Sequence, residues 1–132
     1  MATKTTGILS AALLSLAGCS ADDSRPSPAP APAPSAAYTA RGQEPGWLLT
    51  IDGGRLDYAG NYGEKKIDVP APAPRTTFNG HRYETARLVV DITHVRCNDA
   101  MSGQGFADQV TVTADGETFK GCGGERRTDW DM

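Results

Sequence analysis

Three cysteines (Cys19, Cys97, Cys122) and two histidines (His81, His94) carry the strongest intrinsic chemistry in this 132-residue chain. Thiolates and imidazoles are the ligand set of zinc, and His94 stands three residues before Cys97, with Cys122 and His81 available to complete four ligands. No second close Cys/His pair makes that spacing specific, so neither a metal nor another cofactor is expected. Ser102, a histidine and an acid could be assembled into a nucleophilic triad, as in almost any chain of this size. The nucleophile elbow needs glycine two residues before the serine and two after it. Residues 100–104 read Ala-Met-Ser-Gly-Gln and meet neither condition. Fourteen carboxylates follow Tyr38, but none forms a patterned pair suited to general acid–base work, and most fit turns or the solvent face of strands. Catalysis is therefore not the expected class.

Two constellations suit binding better. Residues 41–47, Arg-Gly-Gln-Glu-Pro-Gly-Trp, make a tight entry into an apolar run. Arg41, Glu44 and Trp47 can rim a groove there, or the turn can simply bury the indole. Residues 97–106, Cys-Asn-Asp-Ala-Met-Ser-Gly-Gln-Gly-Phe, form a polar, glycine-containing loop around Ser102, which is either a recognition element or a plain strand connection. The net charge of −3, with no basic cluster, leaves no electrostatic footprint for nucleic acid.

The N-terminus carries an address. Lys4 precedes an apolar stretch over residues 7–17 that ends in small residues, the layout of a secretory signal. Eleven residues fall well short of the roughly 20 that cross a bilayer. Leu16-Ala17-Gly18-Cys19 resembles the bacterial lipobox, which implies cleavage after residue 18 and acylation of Cys19. Ser20, rather than Asp, after that cysteine resembles outer-membrane lipoproteins of diderm bacteria and implies a periplasm-facing outer-membrane location. With Cys19 given to lipid, Cys97 and Cys122 remain as an even pair in an exported protein, and a disulfide between them is expected.

Residues 19–37 are rich in Ala, Pro and Ser and bury nothing, so they read as a disordered linker. The alternating Ala/Pro stretch 26–34 favours polyproline II and would reach on the order of 28 Å as a stalk. The folded domain is expected over residues 38–132. Trp47-Leu48-Leu49-Thr50-Ile51, turning at Asp52-Gly53-Gly54 into Arg55-Leu56-Asp57-Tyr58, predicts one hairpin. Residues 109–113, turning at Ala114-Asp115-Gly116 into 117–120, predict another. With residues 65–69 and a run over 82–92, this makes about six strands in a small all-β antiparallel barrel or sandwich, and the Pro-rich segment 70–74 is a loop or edge crossing.

Arg-Gly-x-Glu-Pro-x-Trp (41–47), Gly-Asn-Tyr-Gly (60–63), Cys-x-Asp-x-Met-Ser-Gly (97–103) and Gly-Cys-Gly (121–123) together resemble a family of small, largely uncharacterised bacterial lipoprotein domains. That resemblance implies no activity. Ser102-Gly103-Gln104-Gly105-Phe106 and Phe119-Lys120-Gly121 are similar to the Ser-Gly-x-x-Tyr loop and Thr-Lys-Gly strand of membrane-bound inhibitors of C-type lysozyme. The similarity implies that Ser102 and Lys120 reach the lysozyme's catalytic carboxylates, although Phe106 replaces the Tyr and Phe119 the Thr. The expectation is a lipid-anchored, non-catalytic binding domain whose partners are the membrane and an envelope protein. A lysozyme inhibitor and a structural or stress-associated envelope protein are the alternatives.

Overall fold

The computed structural model describes residues 36–132. The signal segment 1–18, Cys19 and the linker up to residue 35 lie outside the described residues. Ten strands follow: β1 (Tyr38–Gly42), β2 (Trp47–Asp52), β3 (Arg55–Gly60), β4 (Lys65–Pro70), β5 (Arg75–Thr77), β6 (Gly80–Glu84), β7 (Leu88–Thr93), β8 (Cys97–Asn98), β9 (Gly105–Ala114) and β10 (Glu117–Arg126). They form one antiparallel sheet in the order β4-β3-β2-β1-β10-β9-β7-β6-β5, with β8 paired to β9. The sheet curls into a half-barrel.

Nearly every neighbour pair in this order is a local connection. The exception that shapes the fold is β1 against β10, with Ala40 opposite Gly123 and Arg41 opposite Cys122. The two free edges, β4 and β5, are consecutive in sequence, and the Pro-rich segment 70–74 spans the seam between them. Proline supplies no amide donor, so this is where a ladder is expected to stop. The Ala71 amide instead donates to the Gly54 carbonyl at 2.8 Å.

Two expected hairpins are present, and both turn on residues that tolerate positive φ: Gly53 (53°) and Gly54 (74°), then Asp115 (46°) and Gly116 (86°). That pairing of left-handed residues is the type I′ geometry whose twist matches the flanking strands. The count of six strands is corrected to ten. The 82–92 run is two strands, because Thr85 Oγ1 accepts the Leu88 amide at 2.9 Å and closes a turn between β6 and β7. β5 and β8 are three and two residues long, too short to show alternation. β1 mixes Tyr, Ala and Gly with exposed Thr39 and Arg41, and becomes a strand by pairing with β2 and β10.

Leu49, Leu56, Tyr58, Ile67, Leu88, Val90, Ile92, Val110, Val112 and Ala114 fill the concave face. Directly paired residues share a face, so Gly42 (opposite Trp47), Gly121 (opposite Val110) and Gly123 (opposite Asp108) also point inward. Each clears room for an aromatic ring. A methyl on Gly42 or Gly121 would be driven into the Trp47 indole, and one on Gly123 would lie 2.7 Å from the Tyr38 hydroxyl.

The expected Cys97–Cys122 disulfide is present, with the Cα atoms 5.5 Å apart. Cys122 lies opposite exposed Gln109, on the convex face, and takes no part in the core. It is nevertheless only 2% exposed, because β8 lies over it.

Candidate functional site

Three clusters bring chemistry-bearing residues together. The first lies at the Gly42 end of β1. The turn into β2 passes through a cis Glu44–Pro45 peptide, and a single 3-10 turn (Asn61–Gly63) docks against it through the Tyr62 amide, which donates to the Gly46 carbonyl at 2.8 Å. Together they border a shallow, open groove of about 420 Å³, whose walls include Arg41, Gln43, Trp47, Leu48 and Tyr62. Trp47 is 4% exposed and packs 6.2 Å from Tyr58, so the turn does bury the indole. Leu48 and Tyr62 are 48% and 74% exposed and supply an apolar rim. Among the described residues the buried Trp47 Nε1 has no hydrogen-bond acceptor. An orphaned buried donor costs roughly 1–3 kcal/mol. Arg41 and Trp47 thus meet at one groove. Glu44 sits on the turn, exposed, and is not part of that wall.

The second cluster is the loop over residues 97–104, pinned by the disulfide at its start and by the C-terminal residues at its side. Asn98 Nδ2 donates to the Trp130 carbonyl at 2.7 Å, and the Met132 amide donates to Gly103 at 3.0 Å. Asp99 organises the turn: its Oδ2 accepts the Ser102 hydroxyl at 2.7 Å and the Ser102 amide at 2.9 Å. Burial pushes the Asp99 carboxyl up, but hydrogen bonds from Ser102, Gln43 and the Met101 amide outweigh it and hold the group below its ordinary range. Lys120 shares a cavity of about 210 Å³ with Gln43, Asn98, Asp99 and Ala100, so the lysine and the loop do meet on the convex face. The Ser102 hydroxyl is committed to Asp99. Phe106 is buried between the guanidinium groups of Arg41 and Arg126, at 5.3 and 5.6 Å from its ring.

The third cluster escaped the sequence reading. Asp108 points inward from β9 with its side chain 8% exposed. Its Oδ2 accepts the Tyr38 hydroxyl at 2.9 Å, and its Oδ1 lies 2.7 Å from His94 Nδ1. A carboxylate can only accept, so His94 Nδ1 carries the proton, and in the neutral imidazole Nε2 keeps its lone pair. Burial, followed by the neighbouring Asp108 charge, raises the Tyr38 phenol far above its ordinary value. Gly124, at φ 76°, keeps the space free, since a methyl there would press on Asp108. His81 lies opposite Ile92, so it faces inward, and its ring stands 5.1 Å from that of His94. The sequence signal was present only in part: the two histidines stood out, but Tyr38 and Asp108 are 70 residues apart and carry no motif.

The four-ligand zinc set fails for a chemical reason, because both sulfurs are consumed in the disulfide. No protein-family model, curated protein or solved structure shows a significant match to the chain.

Proposed function

We propose that this chain is a lipoprotein of the bacterial envelope, anchored through acylated Cys19 to the outer membrane facing the periplasm, whose β domain binds a ligand and performs no catalysis. The observation that carries the binding reading is the groove that the exposed Leu48 and Tyr62 side chains rim beside Arg41. A small aromatic or apolar group bearing a negative charge suits that wall: the rim supplies apolar contact and Arg41 adds a cation. The non-catalytic reading draws support from the pairing of the polar groups. Ser102 is tied to Asp99, and His94 is tied to Asp108, so no hydroxyl–imidazole couple is assembled from them.

The lysozyme-inhibitor reading has one observation in its favour, the cavity shared by Lys120 and the 97–100 segment. The engaged Ser102 hydroxyl and the buried Phe106 weigh against it.

The test uses the full chain as bait for ligands in envelope extract, with Tyr62→Ala and Leu48→Ser as matched controls. A ligand retained by the unsubstituted chain and lost by both variants supports the groove. Equal retention by all three removes it and leaves a structural or stress-associated role. Mass spectrometry of the mature chain must show an acylated Cys19, and a free thiol there ends the anchoring claim.

A further inference from the structure

The histidine pair inside the half-barrel does nothing for the core, and neither of the readings above uses it. His94 is half-exposed and His81 half-buried, so both rings are reachable from solvent at the Tyr38 end of β1. The Trp47 groove lies at the other end of that strand.

The separation of the two rings is informative. A late first-row metal sits about 2.0–2.1 Å from an imidazole nitrogen, hence about 3.2 Å from the ring centre. Two imidazoles on one ion, at angles between square-planar and tetrahedral, therefore place their centres about 4.5–5.2 Å apart. The observed distance is 5.1 Å, with the ring planes at 70°. Asp108 does not converge on the same point, and among the described residues no group of three or more His, Cys, Asp or Glu side chains does. It stands behind His94 instead, accepting the Nδ1 proton and directing Nε2 outward, which is the arrangement that orients ligating histidines in metal sites. Tyr38 holds the carboxylate from its other oxygen.

We propose that His81 and His94 bind a single divalent copper or zinc ion, with Asp108 as the positioning residue and Tyr38 as its support. Two neutral nitrogens favour these ions over magnesium or calcium, which prefer oxygen. Among the described residues only two protein ligands are supplied, so the remaining positions go to water or to a small exogenous ligand, and the ion is exchangeable.

The experiment is calorimetric titration of the untagged, oxidised full chain with copper(II) or zinc(II), repeated on His81→Ala, His94→Ala and Asp108→Asn. The expected result is one ion per chain at about 100 µM metal. Each alanine variant should lose that equivalent, and Asp108→Asn should bind about 10–100-fold more weakly. On the unsubstituted chain, copper electron paramagnetic resonance should show two coordinated nitrogens, and zinc should shift the signals of both imidazoles in the nuclear magnetic resonance spectrum; these readouts need no variant to fold. Binding that survives in both histidine variants overturns the proposal, as does the absence of a two-nitrogen copper signal or of any bound ion at that concentration.

Discussion

Replacing Cys97 and Cys122 together by alanine should weaken the domain by an amount set by the loop they close. The two residues are 25 apart in sequence. On the chain-entropy model, cross-linking a loop of that size removes about 3.5 kcal/mol of conformational freedom from the unfolded chain. Alanine is the right substitute, because Cys122 is buried under β8 and a serine hydroxyl there would need a partner of its own. The alternative is a local effect. β8 is only two residues long and is also held by Arg96 and Asn98, which donate to the Trp130 carbonyl at 2.8 and 2.7 Å. If those bonds suffice, losing the bridge loosens the segment without changing the fold, yet the entropy term still appears in global unfolding. With a urea slope of about 1.5 kcal/mol per molar, the midpoint should drop by about 2.3 M. Urea titration followed by circular dichroism and by tryptophan fluorescence reads this directly, and reduction of the unsubstituted chain should reproduce it. A midpoint change below about 0.5 M, equivalent to less than about 0.75 kcal/mol, would refute the reasoning.

Gly121→Ala should cost roughly 1–3 kcal/mol, because its methyl meets the Trp47 ring and the Arg41 carbonyl, and thermal unfolding will show it; an unchanged midpoint would mean the indole is loosely held. Tyr38 has its phenol pKa raised in the folded chain, so its contribution is complete below about pH 10 and is lost as pH rises above that, at up to 1.36 kcal/mol per pH unit. Tyr38→Phe should therefore flatten the alkaline limb of the stability profile without abolishing it, since burial raises the Tyr58 phenol too. If the chain inhibits C-type lysozyme, Lys120→Ala should weaken inhibition by about thirtyfold or more and Ser102→Ala by less, because truncating a desolvated charge costs about 2–5 kcal/mol. Undiminished clearance of a cell-wall suspension at micromolar protein removes that reading.

What could be read from the sequence was local. Gly53-Gly54 and Asp115-Gly116 specify their hairpins because few other residues adopt positive φ at both central positions. Pro70, Pro72 and Pro74 mark the seam because they cannot donate to a ladder. The disulfide followed from the parity of the cysteines. The tertiary structure decided what depends on residues far apart meeting. β1 becomes a strand only when β10 and β2 pair with it, because its composition alone is indifferent between strand and linker. Gly42, Gly121 and Gly123 are glycines because aromatic rings from other strands occupy the space above them, which no local rule encodes. Tyr38, His81, His94 and Asp108 come from β1, from β6, from the turn after β7 and from β9, and they meet because the curl of the sheet brings those positions to one end of its inner face. A backbone alternation read from sequence assigns each of them to a face; only closure across the sheet says which side chains on that face share a proton.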